Sequence, residues 1–219
     1  MITVDESIFN ALDAPAEALN IVGLGSLCEE IILYVPGCAD LMIRKELQKT
    51  FRAFCETTGT LMYSDAGIVT HEAPSLAISR DDGEFQLYLG ATFDAVDCPR
   101  SRAQLQKDCG GVSVLFTINP DEDDENGDPV EHDVEVLYSV VPRIGTEAAP
   151  LWFLNKHGTA LVAGTLFRLQ SMSKKLWSDP AQAQLNAGTY QNALNNAVID
   201  RLTAGNKIDL NCRAPLPWC

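Results

Sequence analysis

The segment from Leu151 to Gly205 most constrains the fold, because it predicts two long helices joined by a short connection. The second helix has a clear start, with Asp179 as N-cap, Pro180 at the first helical position and Gln182 three residues after the cap. Gly205 is placed to end it. Apolar residues recur at steps of three and four, as in an amphipathic helix: Ala183, Ala187, Tyr190, Leu194, Val198 and Leu202. One face of this helix should pack and the other should be solvated.

The first helix of the pair contains residues 160–169, which are apolar on nearly all sides. Such a helix is expected to be enclosed by its neighbours. Trp177 lies in the connection, and we expect its ring to bury against the preceding helix. Trp177→Ala is then expected to cost about 3 kcal/mol or more, as for a large aromatic side chain in a core.

Two further helices are predicted near the start of the chain. Ser26 and Glu29 have the spacing of a capping box for a short helix that stops at Pro36. A second helix is predicted from about residue 38 to 58, with Gly59 past its end. Its apolar stripe faces a core, and its charged side is either a solvated face or a subunit contact.

The sequence period changes from helical to two after Gly59. Strands are predicted at residues 60–64, 68–72, 84–90, 112–118 and 132–141. We therefore expect an α+β fold, namely a helical bundle of long amphipathic helices with an antiparallel β insertion and an extended C-terminal tail. The expected divisions are an N-terminal arm (1–25), a helical core (26–59 and 150–205), a β-rich lobe (60–149) and the tail (206–219).

The net charge of −14 argues against a protein that grips a phosphate backbone, since such binding depends on Lys and Arg. An acidic surface would still let a polyanion slide past without sticking. No apolar run has the ~18 to 20 residues needed to span a bilayer, and the first residues lack a signal pattern. We expect a soluble protein made in a cytoplasm, with its seven cysteines reduced.

No active site is predicted from motifs. Six acidic residues crowd one loop, which superficially follows the spacing of a calcium loop; they are Asp121, Glu122, Asp123, Asp124, Glu125 and Asp128. Strands and not helices are predicted on either side, so an acidic hairpin tip is the preferred interpretation. The three histidines lie far apart in sequence. We expect no catalytic residue, no metal and no cofactor, and hence not an enzyme.

Two widely spaced segments carry a resemblance to a known family. Residues 35–59, which end in Phe-Cys-Glu-Thr-Thr-Gly, resemble an amphipathic helix of the head-to-tail adaptor proteins of tailed bacteriophages. Residues 164–169 and 175–181, followed by a helix with Tyr190, resemble the C-terminal helix pair of the same proteins. The similarity covers about residues 24–205, and the β insertion lies where those proteins carry one.

The resemblance implies a structural protein of the virion neck, assembled in the host cytoplasm. It implies a homo-oligomeric ring, a dodecamer, beneath the portal protein, which extends the DNA channel and joins tail tube or nozzle proteins. Genomic DNA would pass through without specific binding, and no membrane is involved. The alternatives are another neck or tail protein, such as a terminator or completion protein, and a soluble α/β ligand-binding protein or enzyme.

The tail combines apolar anchors with prolines, at Leu210, Pro215, Leu216, Pro217 and Trp218. Prolines favour an extended chain and lower the entropy lost on docking, and Trp is a common binding anchor. We expect the tail to dock in a groove of a neighbouring subunit or of the portal; the alternative is a disordered end.

Overall fold

The computed structural model describes residues 20–78, 83–98, 102–108, 111–119 and 129–204. These ranges contain four helices: α1 (Gly25–Ile32), α2 (Asp40–Thr58), α3 (Leu151–Gln170) and α4 (Pro180–Ala204). The same ranges contain nine strands: β1 (Ile21–Gly23), β2 (Met62–Val69), β3 (Ser75–Ile78), β4 (Gly83–Phe93), β5 (Val96–Asp97), β6 (Ala103–Asp108), β7 (Gly111–Phe116), β8 (His132–Pro142) and β9 (Ala148–Pro150).

The described strands form three antiparallel sheets, of order β2-β8-β4-β5, β3-β7-β6 and β1-β9. Strand β8 is central in the first sheet, where Tyr138 pairs with Tyr63 of β2 and with Tyr88 of β4. The register of β4 against β8 shifts between residues 85 and 87 and again between 88 and 90. Such bulges increase the local twist of a strand.

Strand β8 shows why its sequence forms the middle of a sheet. Its first half alternates, with buried His132, Val134, Val136 and Tyr138 separated by more exposed residues. From residue 139 to 142 every residue is buried, and α2 lies against β8. The strand is therefore half-buried at its start and enclosed on both faces at its end, where the apolar residues Val140, Val141 and Pro142 follow one another without alternation.

Helices α2, α3 and α4 meet at a cluster of aromatic rings. The Phe51 and Phe153 ring centroids lie 5.2 Å apart, Phe54 and His157 5.0 Å apart, and Phe54 and Tyr190 6.2 Å apart. All residues of α3 from 160 to 166 are buried, which confirms the expected enclosure for that part of residues 160–169, whereas Phe167 is 37% exposed. Each of the three helices is thus in contact with the other two.

The prediction of a helical bundle of long amphipathic helices was wrong. The protein is an α+β fold with four helices and nine strands in three antiparallel sheets across the described ranges, and it is not a bundle of long helices. One buried cluster runs from Phe54 and Leu161 of the helices to Val136 and Phe93 of the largest sheet. Helical periodicity reports that a helix has an apolar face, but not whether a helix or a sheet covers it.

The capping box predicted at Ser26 and Glu29 was also wrong. Helix α1 begins at Gly25 with Leu24 at the N-cap position, where no side-chain capping bond forms. Ser26 therefore lies inside the first turn. By contrast, Gly59 ends α2 in the left-handed conformation (φ +62°), and its N–H donates to the Cys55 carbonyl oxygen at 2.7 Å, as the sequence predicted.

Two predicted strands, 60–64 and 68–72, are one continuous strand, β2. Gly67, whose neighbourhood suggested a break, pairs with Val134 of β8. A Cβ at Gly67 would lie 2.6 Å from Leu76 Cδ1, so the missing side chain lets β3 pack closely. Of the predicted N-terminal arm, residues 1–19 lie outside the described residues, and 21–23 form β1 against β9.

Candidate interaction surface

The connection between α3 and α4 is fixed by hydrogen bonds to the backbone of both helices. Asp179 Oδ1 accepts hydrogen bonds from the N–H of Ala181 (3.1 Å) and of Gln182 (3.0 Å), so the cap predicted for Asp179 is present. Pro180 is the first residue of α4, where its missing N–H costs nothing. The N–H of Asp179 donates to the Gln170 carbonyl at the end of α3. The two helices are therefore held at a defined angle.

Two neighbouring residues of this connection differ sharply in exposure. Trp177 is partly buried and packs against the core, as expected in direction but less completely than predicted. Its indole Nε1 is buried without a hydrogen-bond acceptor among the described residues. Leu176 is 93% exposed, which is unusual for a large apolar side chain. Lys175 lies beside them, with Nζ 5.8 Å from the Trp177 ring centroid.

A groove of about 490 Å³ lies beside the connection, between the residues that follow α1 and the pair α3–α4. Its apolar lining is provided mainly by Tyr34, Val162, Leu166, Leu176 and Trp177. Its polar lining includes Glu30 and Asp179, and the bonded pair in which Asn186 Nδ2 donates to Gln170 Oε1 at 2.9 Å. This mixture of aromatic, aliphatic and amide groups suits an apolar peptide better than a charged small molecule.

A second surface lies on α4, on the side away from the aromatic cluster. We call it the outer face of α4, and its residues are exposed and uncharged: Gln184, Leu185, Gly188, Gln191, Asn192, Asn195, Ile199 and Leu202. Three of these are large apolar side chains with more than half of their surface exposed, at 65% for Leu185, 53% for Ile199 and 56% for Leu202. Amides and small residues fill the space between them.

Helix α4 carries two charged residues, and both are used within the chain. Asp200 Oδ2 lies 3.1 Å from Lys156 Nζ of α3. The Arg201 side chain packs against Gly59 at the end of α2. A solvated helix face in a chain that is 21% charged would normally carry several charges. The outer face therefore has the composition of a contact surface, since the cores of interfaces are depleted of charged residues.

The charged side of α2 is partly occupied by contacts within the chain. Arg52 Nη2 lies 2.9 Å from Glu84 Oε2 of β4, and its Nη1 donates to the Pro142 carbonyl of β8 at 2.7 Å. The hydrogen bond from Arg52, and then the positive charge of Arg52, lower the pKa of Glu84. Arg52 thus fastens α2 to the sheet, a role that sequence reasoning missed because the partners lie 32 and 90 residues away.

The buried titratable groups where α2, α3 and α4 meet belong to the packed core of the protein. Burial, and then the charge of Lys156, lowers the pKa of His157 to about 4. Burial raises the pKa of Tyr190 to about 12. His157 lies against Phe54 and Phe153, and burial also raises the pKa of the Cys55 thiol. These groups stay neutral near pH 7, so the cluster behaves as an apolar core.

A second histidine is paired in the largest sheet. His132 Nδ1 lies 2.8 Å from Asp94 Oδ2, and Asp94 Oδ1 accepts from the N–H of Asp133 at 3.0 Å. Asp94 and Ala95 have positive φ values of 51° and 61° in the turn between β4 and β5. The contacts hold this strained turn onto β8.

Metal-binding clusters are absent from the part of the chain that the structure describes, since no three His, Cys, Asp or Glu side chains there could hold an ion. The acidic loop falls outside the described residues, and so do the predicted docking residues of the tail. The loop residues are Asp121, Glu122, Asp123, Asp124, Glu125 and Asp128; the tail residues are Leu210, Pro215, Leu216, Pro217 and Trp218. Their predicted roles stay predictions.

None of the helices within the described ranges is long and apolar enough to cross a membrane. In the comparisons with known proteins, no protein-family model matches the chain, and no curated protein matches it.

Proposed function

We propose that the chain is a structural virion protein, a head-to-tail adaptor that forms a ring beneath the portal, extends the DNA channel and joins the tail. The observation that carries the proposal is the outer face of α4, which is long, exposed and uncharged in a strongly acidic protein. In this role the chain needs no catalytic residue, metal or cofactor.

The charge of the chain explains why this face would serve contacts between copies. Copies with a net charge of −14 repel one another, and the repulsion is weakest where their facing surfaces carry no charge. Leu185, Ile199 and Leu202 would supply the apolar contacts, and the amides between them would supply hydrogen bonds. A closed ring uses two different patches on each subunit, so this face would pack against another surface of the next copy.

The placement of the two resembling segments also supports the proposal. Residues 35–59 include all of α2, and residues 164–169 and 175–181 include part of the end of α3, part of the connection and the start of α4. They lie far apart in sequence, yet α2 packs against both α3 and α4, and Phe54 contacts Tyr190 at a ring separation of 6.2 Å. The segments that carry the resemblance thus belong to one packed unit, as a shared structural role would produce.

The acidic balance fits a channel wall for DNA. A basic wall would bind phosphates and release counterions, which would slow the passage of the genome. An acidic wall repels the duplex and leaves it mobile.

The decisive test is the location and copy number of the chain in virions. Imaging of particles should place it as a ring, of twelve copies by the resemblance, between portal and tail. A position in the capsid shell, or one copy per particle, would refute the adaptor role. A ring that binds purified tail tube but not portal would assign it instead to a tail terminator or completion protein.

Variants test the proposed contact face separately. Leu185→Asp places a charge on the outer face of α4, and we expect particles assembled with it to lack a complete ring and to lose their tails. Ile144→Asp is the matched control, because Ile144 is 88% exposed in the turn between β8 and β9. If particles lost their tails equally with both variants, or kept them with both, the outer face of α4 would not form the contacts between copies.

A further inference from the structure

We propose that the segment Pro215–Trp218 of the same chain docks in the groove between the residues that follow α1 and the pair α3–α4. This docking site replaces the neighbouring subunit or portal that the sequence alone led us to expect. The inference is independent of the ring, because it concerns a single chain. The proposed occupant is a peptide that combines two prolines, a leucine and a tryptophan.

The groove offers the surface that such a peptide recognises. Tyr34 and Trp177 present aromatic rings in its lining, and Leu176 is left 93% exposed beside them. Proline-rich peptides dock in aromatic-lined grooves because their polyproline conformation is preformed and loses little entropy on binding. Covering Leu176 and Trp177 would remove apolar surface from water, which stabilises the docked state.

The length of the chain beyond α4 fits this docking. Asn186, in the groove lining, lies eighteen residues before the end of α4 at Ala204. At a rise of 1.5 Å per residue, the chain must return about 27 Å along α4 to reach it. Leu210 could span only about 20 Å from Ala204 at ~3.3 Å per residue, whereas Pro215 could span about 36 Å. Only the last part of the segment can therefore occupy the groove of its own chain.

Charge favours this segment over residues 1–19, the other stretch outside the described residues that could reach the groove. Among the residues that the structure describes, the lining contains Glu30 and Asp179 and no lysine or arginine. With Lys175 at the rim, the groove still keeps a net negative charge. Residues 1–19 contain four acidic residues and no lysine or arginine, whereas residues 211–219, the part of the second segment that can reach the groove, contain Arg213 and no acidic residue. Like charges would repel the first stretch and opposite charges would attract the second.

The test is fluorine NMR of the full chain labelled with 5-fluorotryptophan, which gives one resonance each for Trp152, Trp177 and Trp218. Substitution of each Trp by Phe in turn assigns them, and a labelled peptide of residues 206–219 gives the undocked position. We expect the Trp218 resonance of the full chain to be displaced from that of the peptide. We also expect Trp218→Phe to shift the Trp177 resonance and to leave Trp152 unchanged.

Leu176→Asp should return the Trp218 resonance to the position of the free peptide, and Leu185→Asp should leave it displaced. Both side chains are exposed, at 93% and 65%, so neither change should unfold the chain. The proposal is overturned if Trp218 of the full chain resonates at the position of the peptide, or if Leu176→Asp has no effect on a displaced resonance. A displacement that disappears on dilution would overturn docking within one chain and indicate docking between copies.

Discussion

Gly164 of α3 lies against the ring of Tyr190 of α4. A Cβ built on Gly164 would come 2.7 Å from Cδ2 and Cε2 of Tyr190 and equally close to Thr50 Cγ2 of α2. Contacts of this length do not occur between carbon atoms without movement of one partner. The absent side chain therefore lets α2, α3 and α4 approach one another at this point, and Tyr190 fills the space that it leaves.

Gly164→Ala should destabilise the protein because the added methyl group overpacks this contact. Overpacking destabilises by about 1–3 kcal/mol, whereas the better helix propensity of Ala stabilises by less than about 1 kcal/mol. Urea unfolding should report the difference. Gly188→Ala is the matched control in α4, since no atom lies within 4 Å of its Cβ position, and it should stabilise by about 0.5–1 kcal/mol. Equal stability of the Gly164→Ala variant and the wild type would contradict the packing argument.

Local signals in the sequence predicted the ends of elements well. Asp179 and Gly59 act through residues within four positions of themselves, so their roles can be read without knowledge of the fold. The failed capping box at Ser26 shows the limit, because tertiary contacts of the β1–β9 pair bring Leu24 N–H onto the Glu147 carbonyl and set the start of α1. Such a contact spans more than a hundred residues.

The partner of each apolar face was not predictable from one sequence. The spacing of Phe51 and Phe54 predicts a buried stripe on α2, but nothing local indicates that α2 also lies against β8. Arg52 reads as a solvated charge for the same reason, although it bonds to Glu84 and to the Pro142 carbonyl. Leu202 was expected in the packed stripe of α4, yet it is 56% exposed and belongs to the outer face. The groove was not predicted either, because it depends on α1 and α3 meeting the connection.

His157 should make stability depend on pH. The pKa of His157 is lowered to about 4 in the folded chain, first by burial, whereas in an unfolded chain it is near the ordinary histidine value of 6.5. The contribution of His157 to the free energy of unfolding is therefore fully present above pH 6.5. Up to about 3 kcal/mol of it is lost as the pH falls toward 4. Carboxylates titrate in the same range, so His157→Gln provides the comparison. The difference in unfolding free energy between wild type and variant should shrink between pH 7 and 4; a constant difference would exclude this role for His157.

Asp179 should contribute to stability through its cap on α4. Asp179→Ala removes the acceptor of the N–H groups of Ala181 and Gln182, and we expect a loss of about 1 kcal/mol in thermal or urea unfolding. Asp179→Asn keeps a side-chain oxygen in the same place and should retain most of the stability. If the Asn variant lost as much as the Ala variant, the charge of Asp179 and not its capping geometry would be the source of the effect.

Trp177 should stabilise the connection by less than a fully buried aromatic residue does. Because the ring is partly buried, we expect Trp177→Ala to cost about 1–2 kcal/mol, below the ~3 kcal/mol or more expected for complete burial. Ile144→Ala, at a residue that is 88% exposed in the turn between β8 and β9, should change the unfolding free energy by less than about 0.5 kcal/mol.

Trp177→Phe separates the packing of the ring from its polar atom. The indole N–H is buried without an acceptor among the described residues, and an unsatisfied buried donor costs about 1–3 kcal/mol. Phe removes that donor but also some apolar contact, so we expect the unfolding free energy of Trp177→Phe to equal or exceed that of the wild type. If Trp177→Phe lowered the unfolding free energy as much as Trp177→Ala, the indole N–H would have an acceptor in solution, such as a bound water molecule or a residue of the tail (206–219).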